Sequence, residues 1–171
     1  MTLALLAIVG LFVAAGVLRA LSGAGIDRPD PSGLRSVARF QATEFARVDA
    51  AQDENPSSWG EDLLKTVLAR LGPPFKVSMH YAPGYGHAAV VEGSDQRFTL
   101  SLGFVSDSEG WLLSANGRLE HSPVPDSEMS RELLRQVHAA LTTLAGVAEV
   151  HWSDRESFRK NSPMWAAAPL D

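Results

Sequence analysis

From Phe98 to Phe104 every second residue is large and apolar, with Thr99, Ser101 and Gly103 between them. Successive side chains of a strand point to opposite faces, so this alternation demands a sheet with one buried face. Residues 75–93 and 97–121 extend it into an antiparallel meander of four or five strands. Turn signals divide the runs: Pro83-Gly84-Tyr85-Gly86, Gly93-Ser94-Asp95, Asp107-Ser108-Glu109-Gly110 and Asn116-Gly117. The last is the strongest, because a type I′ turn needs positive φ at both central positions. It predicts a hairpin with flanks at 111–114 and 118–120.

Helices are expected around this sheet. Ser58 followed three residues later by Glu61 forms a capping box, in which each side chain satisfies an orphan backbone N–H. Trp59, Leu63, Leu64, Val67, Leu68 and Leu71 make one apolar stripe, closed by Gly72-Pro73-Pro74. Asp126 or Ser127 caps a long helix with the stripe Met129, Leu133, Leu134, Val137, Leu141 and Leu144, stopped by Gly146. Residues 34–51 place Leu34, Val37, Gln41, Phe45 and Val48 at near-helical spacing, which predicts a helix. That stripe is thin, and Phe40 falls outside it. Residues 147–152 read as a last strand joining the sheet, and 153–160 as a short polar helix or turn. Residues 161–171, with two prolines and an alanine run, read as a loosely ordered tail. In element order the chain loosely resembles secretion-chaperone-like α+β domains, a resemblance that implies protein binding.

The N-terminus carries a different signal. Leu3 to Leu18 is sixteen residues without a charge, and Ala20 and Leu21 extend the run past Arg19. As a helix, residues 3–21 reach roughly 28 Å, enough to cross a hydrocarbon core. A cleaved signal peptide is the rival, with Ser22-Gly23-Ala24 as a cleavage site. However, the apolar run is long for one, and only Met1-Thr2 precedes it. An uncleaved anchor fits better. Arg19, Arg28, Arg35 and Arg39 follow the run and no Lys or Arg precedes it. The positive-inside rule therefore puts the domain on the cytoplasmic side.

Net charge is −5, from fifteen basic and twenty acidic residues. Setting Arg19 aside with the anchor leaves fourteen basic residues, or −6 for the rest. A domain of that sign repels phosphate backbones, and the basic cluster Arg155, Arg159 and Lys160 is interrupted by Asp154 and Glu156. Nucleic acid is not expected as a partner. Cysteine is absent, which excludes disulfides, thiolate zinc sites and thiol catalysis.

Candidate chemistry centres on one hairpin. His80 and His87 flank its turn and share a face in one register but not when shifted by one residue. No His-x-x-x-His or Glu-x-x-His spacing supports a metal, so neither metal nor cofactor is expected. The glycines of Pro83-Gly84-Tyr85-Gly86-His87 invite a phosphate loop, but no helix follows to supply the N–H groups. No Gly-x-Ser-x-Gly elbow marks a nucleophile, and Glu92, Asp95, Asp107 and Glu109 sit in turns where acidic residues are common. His138 lies at the edge of the long helical stripe, where a partly buried, hydrogen-bonded imidazole is expected.

The sequence thus reads as an α+β chain. Residues 1–21 form a single-pass transmembrane anchor, 22–33 a linker, 34–160 the domain of meander, C-terminal strand and helices, and 161–171 the tail. The expected function is a membrane-tethered, non-catalytic binding domain contacting another protein through a solvent-facing tip of His80, Tyr81, Tyr85 and His87. The alternatives are a small hydrolase using His80 and His87, or a structural subunit of a membrane complex. If residues 3–21 span the bilayer, the full-length chain resists carbonate extraction, whereas a chain starting at Leu34 is soluble. Release of the full-length chain by carbonate would disprove the anchor.

Overall fold

The computed structural model describes residues 33–45, 60–84, 86–119 and 122–171. The anchor and most of the linker, the Ser58 cap, Trp59 and Tyr85 lie outside them. Among the described residues no helix is long and apolar enough to cross a membrane.

The fold is α+β, built on a six-stranded antiparallel open sheet. Its strands are β1 (Val37–Ala42), β2 (Lys76–Tyr81), β3 (His87–Glu92), β4 (Arg97–Ser106), β5 (Gly110–Asn116) and β6 (Val147–Ser153), in the order β2-β3-β4-β5-β1-β6. The helices are α1 (Glu61–Leu68), α2 (Glu128–Thr142) and α3 (Arg155–Arg159). The alternation at 98–104 places Phe98, Leu100 and Leu102 on the core face, where they are fully buried beneath α1 and α2.

The N-terminal part of the domain differs from expectation. Residues 37–42 form a strand, not part of a helix spanning 34–51. β1 lies between β5 and β6, pairing Ala38 with Leu113 on one side and with Trp152 on the other. Ala38, Phe40 and Ala42 are buried in the main core, so the period is two and Phe40 is the residue that betrays it. Helical spacing lost because the strand satisfies its backbone on both sides and buries side chains on both faces. The element order behind the resemblance to secretion-chaperone-like domains therefore does not hold.

α1 buries Leu63, Leu64 and Val67 as its stripe requires, but begins at Gly60 with no side-chain cap. Glu61 pairs with Lys65 at 2.6 Å; Ser58, its expected partner in the capping box, lies outside the described residues. Gly60 has φ 90°, and a Cβ there would collide with the Trp111 ring. Glycine is needed both for that conformation and for that approach. α2 starts as expected, with Ser127 Oγ accepting from the Ser130 N–H at 3.1 Å.

Two other expectations fail. No strand follows Asn116-Gly117 among the described residues. Instead the Gly117 N–H donates to the Ser122 carbonyl at 3.0 Å, closing a loop. The tail is also tied down: Trp152 and Ala166 exchange backbone hydrogen bonds of 2.7 and 2.8 Å, and Arg35 pairs with Asp171 at 2.7 Å. Trp165 and Phe158 pack on Val37, Val105 and Leu112, covering part of the sheet's second face. Aromatic burial outweighs the local disorder signal of proline and alanine.

The strand phase can be tested. Phe40→Ala should cost about 3–5 kcal/mol in denaturant unfolding, whereas Gln41→Ala should cost well under about 1 kcal/mol. A helix with Gln41 in its stripe would reverse the order.

Candidate functional site

His80 stands opposite Ala89, and His87 lies two residues before Ala89 on the same strand. Directly opposed residues share a face, as do residues two apart, so both imidazoles belong to the core face. Their rings stack in parallel, with centroids 5.4 Å apart and planes 4° from one another. The register thus brings the two histidines together. Tyr81 pairs with Ala88 and belongs to the opposite face, so the expected cluster is divided.

The tip is not solvent-facing at His87, which is only 3% exposed. It stands opposite Leu102, the residue on which Gly60 rests beside Trp111, so the start of α1 overlies this end of the sheet. Lys65, hydrogen-bonded to Glu61, holds the Glu61 carboxyl below its ordinary value, and the fields of His87 and His80 act more weakly in the same direction. The turn glycine also has a structural role. A Cβ at Gly86 would collide with the Leu102 carbonyl oxygen, so glycine permits close backbone packing, as at a tight strand crossing. Among the described residues no group of three or more His, Asp or Glu side chains is placed to hold a metal ion.

The exposed part of the hairpin is β2 itself. Among the described residues it is the outermost strand, and Lys76, Val77, Ser78 and Met79 are all exposed. The register shifts between Val77 and Met79, a bulge that bends the strand. The opposite edge differs, because Ala166 bridges to Trp152 there.

A buried polar network lies elsewhere and was missed in the sequence. Arg155 Nη1 donates to Asn116 Oδ1 at 2.7 Å and to the Ser122 carbonyl at 3.1 Å. Asn116 Nδ2 in turn donates to Ser114 Oγ at 3.2 Å and to the Thr99 carbonyl at 3.4 Å. Asn116 looked like a turn residue, whereas its amide bridges β4, β5 and α3. Arg155 looked like part of an interrupted basic cluster. The only available signal was Asp154 as a cap, which does accept from the Ser157 N–H at 2.8 Å and so starts α3.

His138 matches expectation: its Nδ1 accepts from Trp152 Nε1–H at 3.1 Å. Comparisons with protein-family models, curated proteins and solved structures found no match.

Burial lowers the His138 pKa from its ordinary value of 6.5. Below that value the unfolded chain binds a proton that the folded chain resists, so the folded state loses stability as pH falls. Stability from this residue is complete above the unfolded value and disappears as pH drops through the folded one. Melting temperature should therefore fall from about pH 7 to about pH 5, the range where histidine titrates. His138→Gln, which keeps an acceptor for Trp152, should make that slope shallower. An unchanged slope would show that His138 does not contribute.

Proposed function

We propose that this chain is a non-catalytic binding or accessory domain, tethered to a membrane through residues 3–21, with the domain on the cytoplasmic side. It recruits another protein by strand addition along β2. The observation that carries this reading is the exposed outer strand, with Val77 45% and Met79 58% exposed.

An edge strand offers unpaired backbone donors and acceptors, and an incoming extended segment gains affinity from main-chain hydrogen bonds. Val77 is opposite Val91 and Met79 opposite Val90, so the two apolar side chains belong to opposite faces. Such alternation suits a strand-like partner that contacts both faces of the edge. Methionine is a flexible, polarizable contact residue, useful against varied surfaces. Lys76 and the bulge discourage edge-to-edge pairing with a copy of the same strand. Specificity then comes from the partner's side chains, with Tyr81 at the end of β2 next to the turn.

The hydrolase alternative draws on the convergence of His80 and His87 near Glu61. It requires a substrate to reach an imidazole that is almost fully buried, which makes it the weaker reading.

The test uses tagged full-length protein in detergent. Val77→Lys combined with Met79→Lys should leave the melting temperature nearly unchanged, because both positions are exposed. Recovery of a cross-linked protein partner should fall about ten-fold or more, the scale of losing an interface hot spot. Unchanged recovery from an equally stable variant would eliminate β2 as the binding edge.

A further inference from the structure

Asn116 and Gly117 are each fixed by their surroundings. The Asn116 amide uses both of its ends. Oδ1 accepts from Arg155 Nη1 at 2.7 Å, and Nδ2 donates to the Thr99 carbonyl at 3.4 Å and to Ser114 Oγ at 3.2 Å. An ionised aspartate could not donate there, and an apolar side chain could neither donate nor accept. A Cβ at Gly117 would lie 2.7 Å from the Pro123 carbonyl oxygen and 2.8 Å from Ser122 Oγ, so a larger residue would collide with backbone. The fold therefore retains, side by side, the two residue types that together make a peptide chain chemically labile. Glycine leaves the following peptide nitrogen without steric cover, and asparagine offers it a carboxamide carbon to attack.

The same contacts block that attack. The Gly117 N–H donates to the Ser122 carbonyl at 3.0 Å, an oxygen that opposes loss of the proton. Asn116 is 3% exposed and paired with Thr99 at the end of β5, so its carboxamide is held in the ladder and away from solvent base. We infer that Asn116-Gly117 is a deamidation site that the network around Arg155 keeps closed, and that it reacts when that network opens. In the open state the Gly117 nitrogen, its proton taken by hydroxide, attacks Asn116 Cγ. A nitrogen–carbon bond forms, the Cγ–Nδ2 bond breaks, and Nδ2 leaves as ammonia after gaining a proton from water. One water then opens the succinimide at either carbonyl, leaving aspartate or isoaspartate with no change in oxidation state. Neither product rebuilds the site. Aspartate keeps an acceptor for Arg155 but sets a carboxylate oxygen against the Thr99 carbonyl, and isoaspartate adds a methylene to the strand backbone. Each opening that reacts is thus recorded permanently at residue 116.

The test follows aspartate and isoaspartate at residue 116 by peptide mass mapping, in full-length protein kept in non-ionic detergent at mildly alkaline pH. Parallel samples are folded or unfolded in guanidinium chloride. The folded protein should react roughly a hundred-fold more slowly, or slower still, because the reaction waits on a rarely populated open state. Asp154→Ala removes the acceptor for the Ser157 N–H that starts α3, and Arg155→Met removes the guanidinium. Each should speed the reaction in folded protein about ten-fold, the scale of a lost helix cap or of a lost hydrogen bond to a charged group. Comparable rates in folded and unfolded wild type overturn the inference, as does an unfolded chain that leaves Asn116 intact. Wild-type rates in both folded variants overturn it too. If Arg155→Met does not fold, Asp154→Ala alone carries that comparison, and the folded-to-unfolded ratio of the wild type stands beside it.

Discussion

β1 is a six-residue strand paired on both sides, to β5 and to β6. The rest of the architecture depends on that double pairing. Among the described residues β6 joins the sheet only through β1, and α3 and the C-terminal segment follow from β6. β1 also contributes to both hydrophobic layers: Phe40 and Ala38 enter the main core, and Val37 enters the cluster with Phe158 and Trp165. Arg39 lies 4.7 Å from the Trp165 ring centroid, a cation–π contact that holds the tail over the same strand. Losing β1 would thus remove a layer on each face as well as a set of ladder bonds.

The legible parts of the sequence were those whose information is local. The 98–104 alternation, the Ser127 cap and the stripe through Leu133, Leu134 and Val137 each need only neighbouring residues to be interpreted, and each lies where it was read. β1 was illegible because its state depends on partners far along the chain. In isolation its Val, Ala and Phe fit two periods equally well, and Leu34 with Phe45 favoured the wrong one. Asn116-Gly117 failed for a similar reason: turn propensity is local, whereas Asn116 is claimed by Arg155 from a distant helix. His87 looked exposed because turns usually are, and the start of α1 that covers its end of the sheet cannot be inferred from the hairpin. The convergence of His80 and His87 was legible as a choice between two registers, but not as a decision between them.

The two ends of the sheet have different chemistry. At the β6 edge, Ala166 supplies a backbone partner and Trp152 is fully buried. At the β2 edge, Lys76 to Met79 are exposed and the register shifts between Val77 and Met79. Between them, the charges on α2 form ordinary surface pairs, with Arg135 binding both Glu128 and Glu132. Exposed pairs of this kind contribute little to stability, so cohesion rests on apolar burial and on the buried Asn116–Arg155 amide–guanidinium contact.

The register of β1 against β6 joins Arg39 to His151, which are 112 positions apart in the chain. During synthesis β1 emerges long before β6 exists, whereas β2 to β5 are joined by short turns and pair as soon as they appear. Long-range pairings carry a greater loop-closure penalty than hairpins and form later. A nascent chain would therefore pass through a stage in which the meander is assembled and β5 is its outer strand. Trp111, Leu112 and Leu113 would then lie along an open border awaiting β1. An open sheet border of that kind is the sort of edge along which a partly folded chain mispairs.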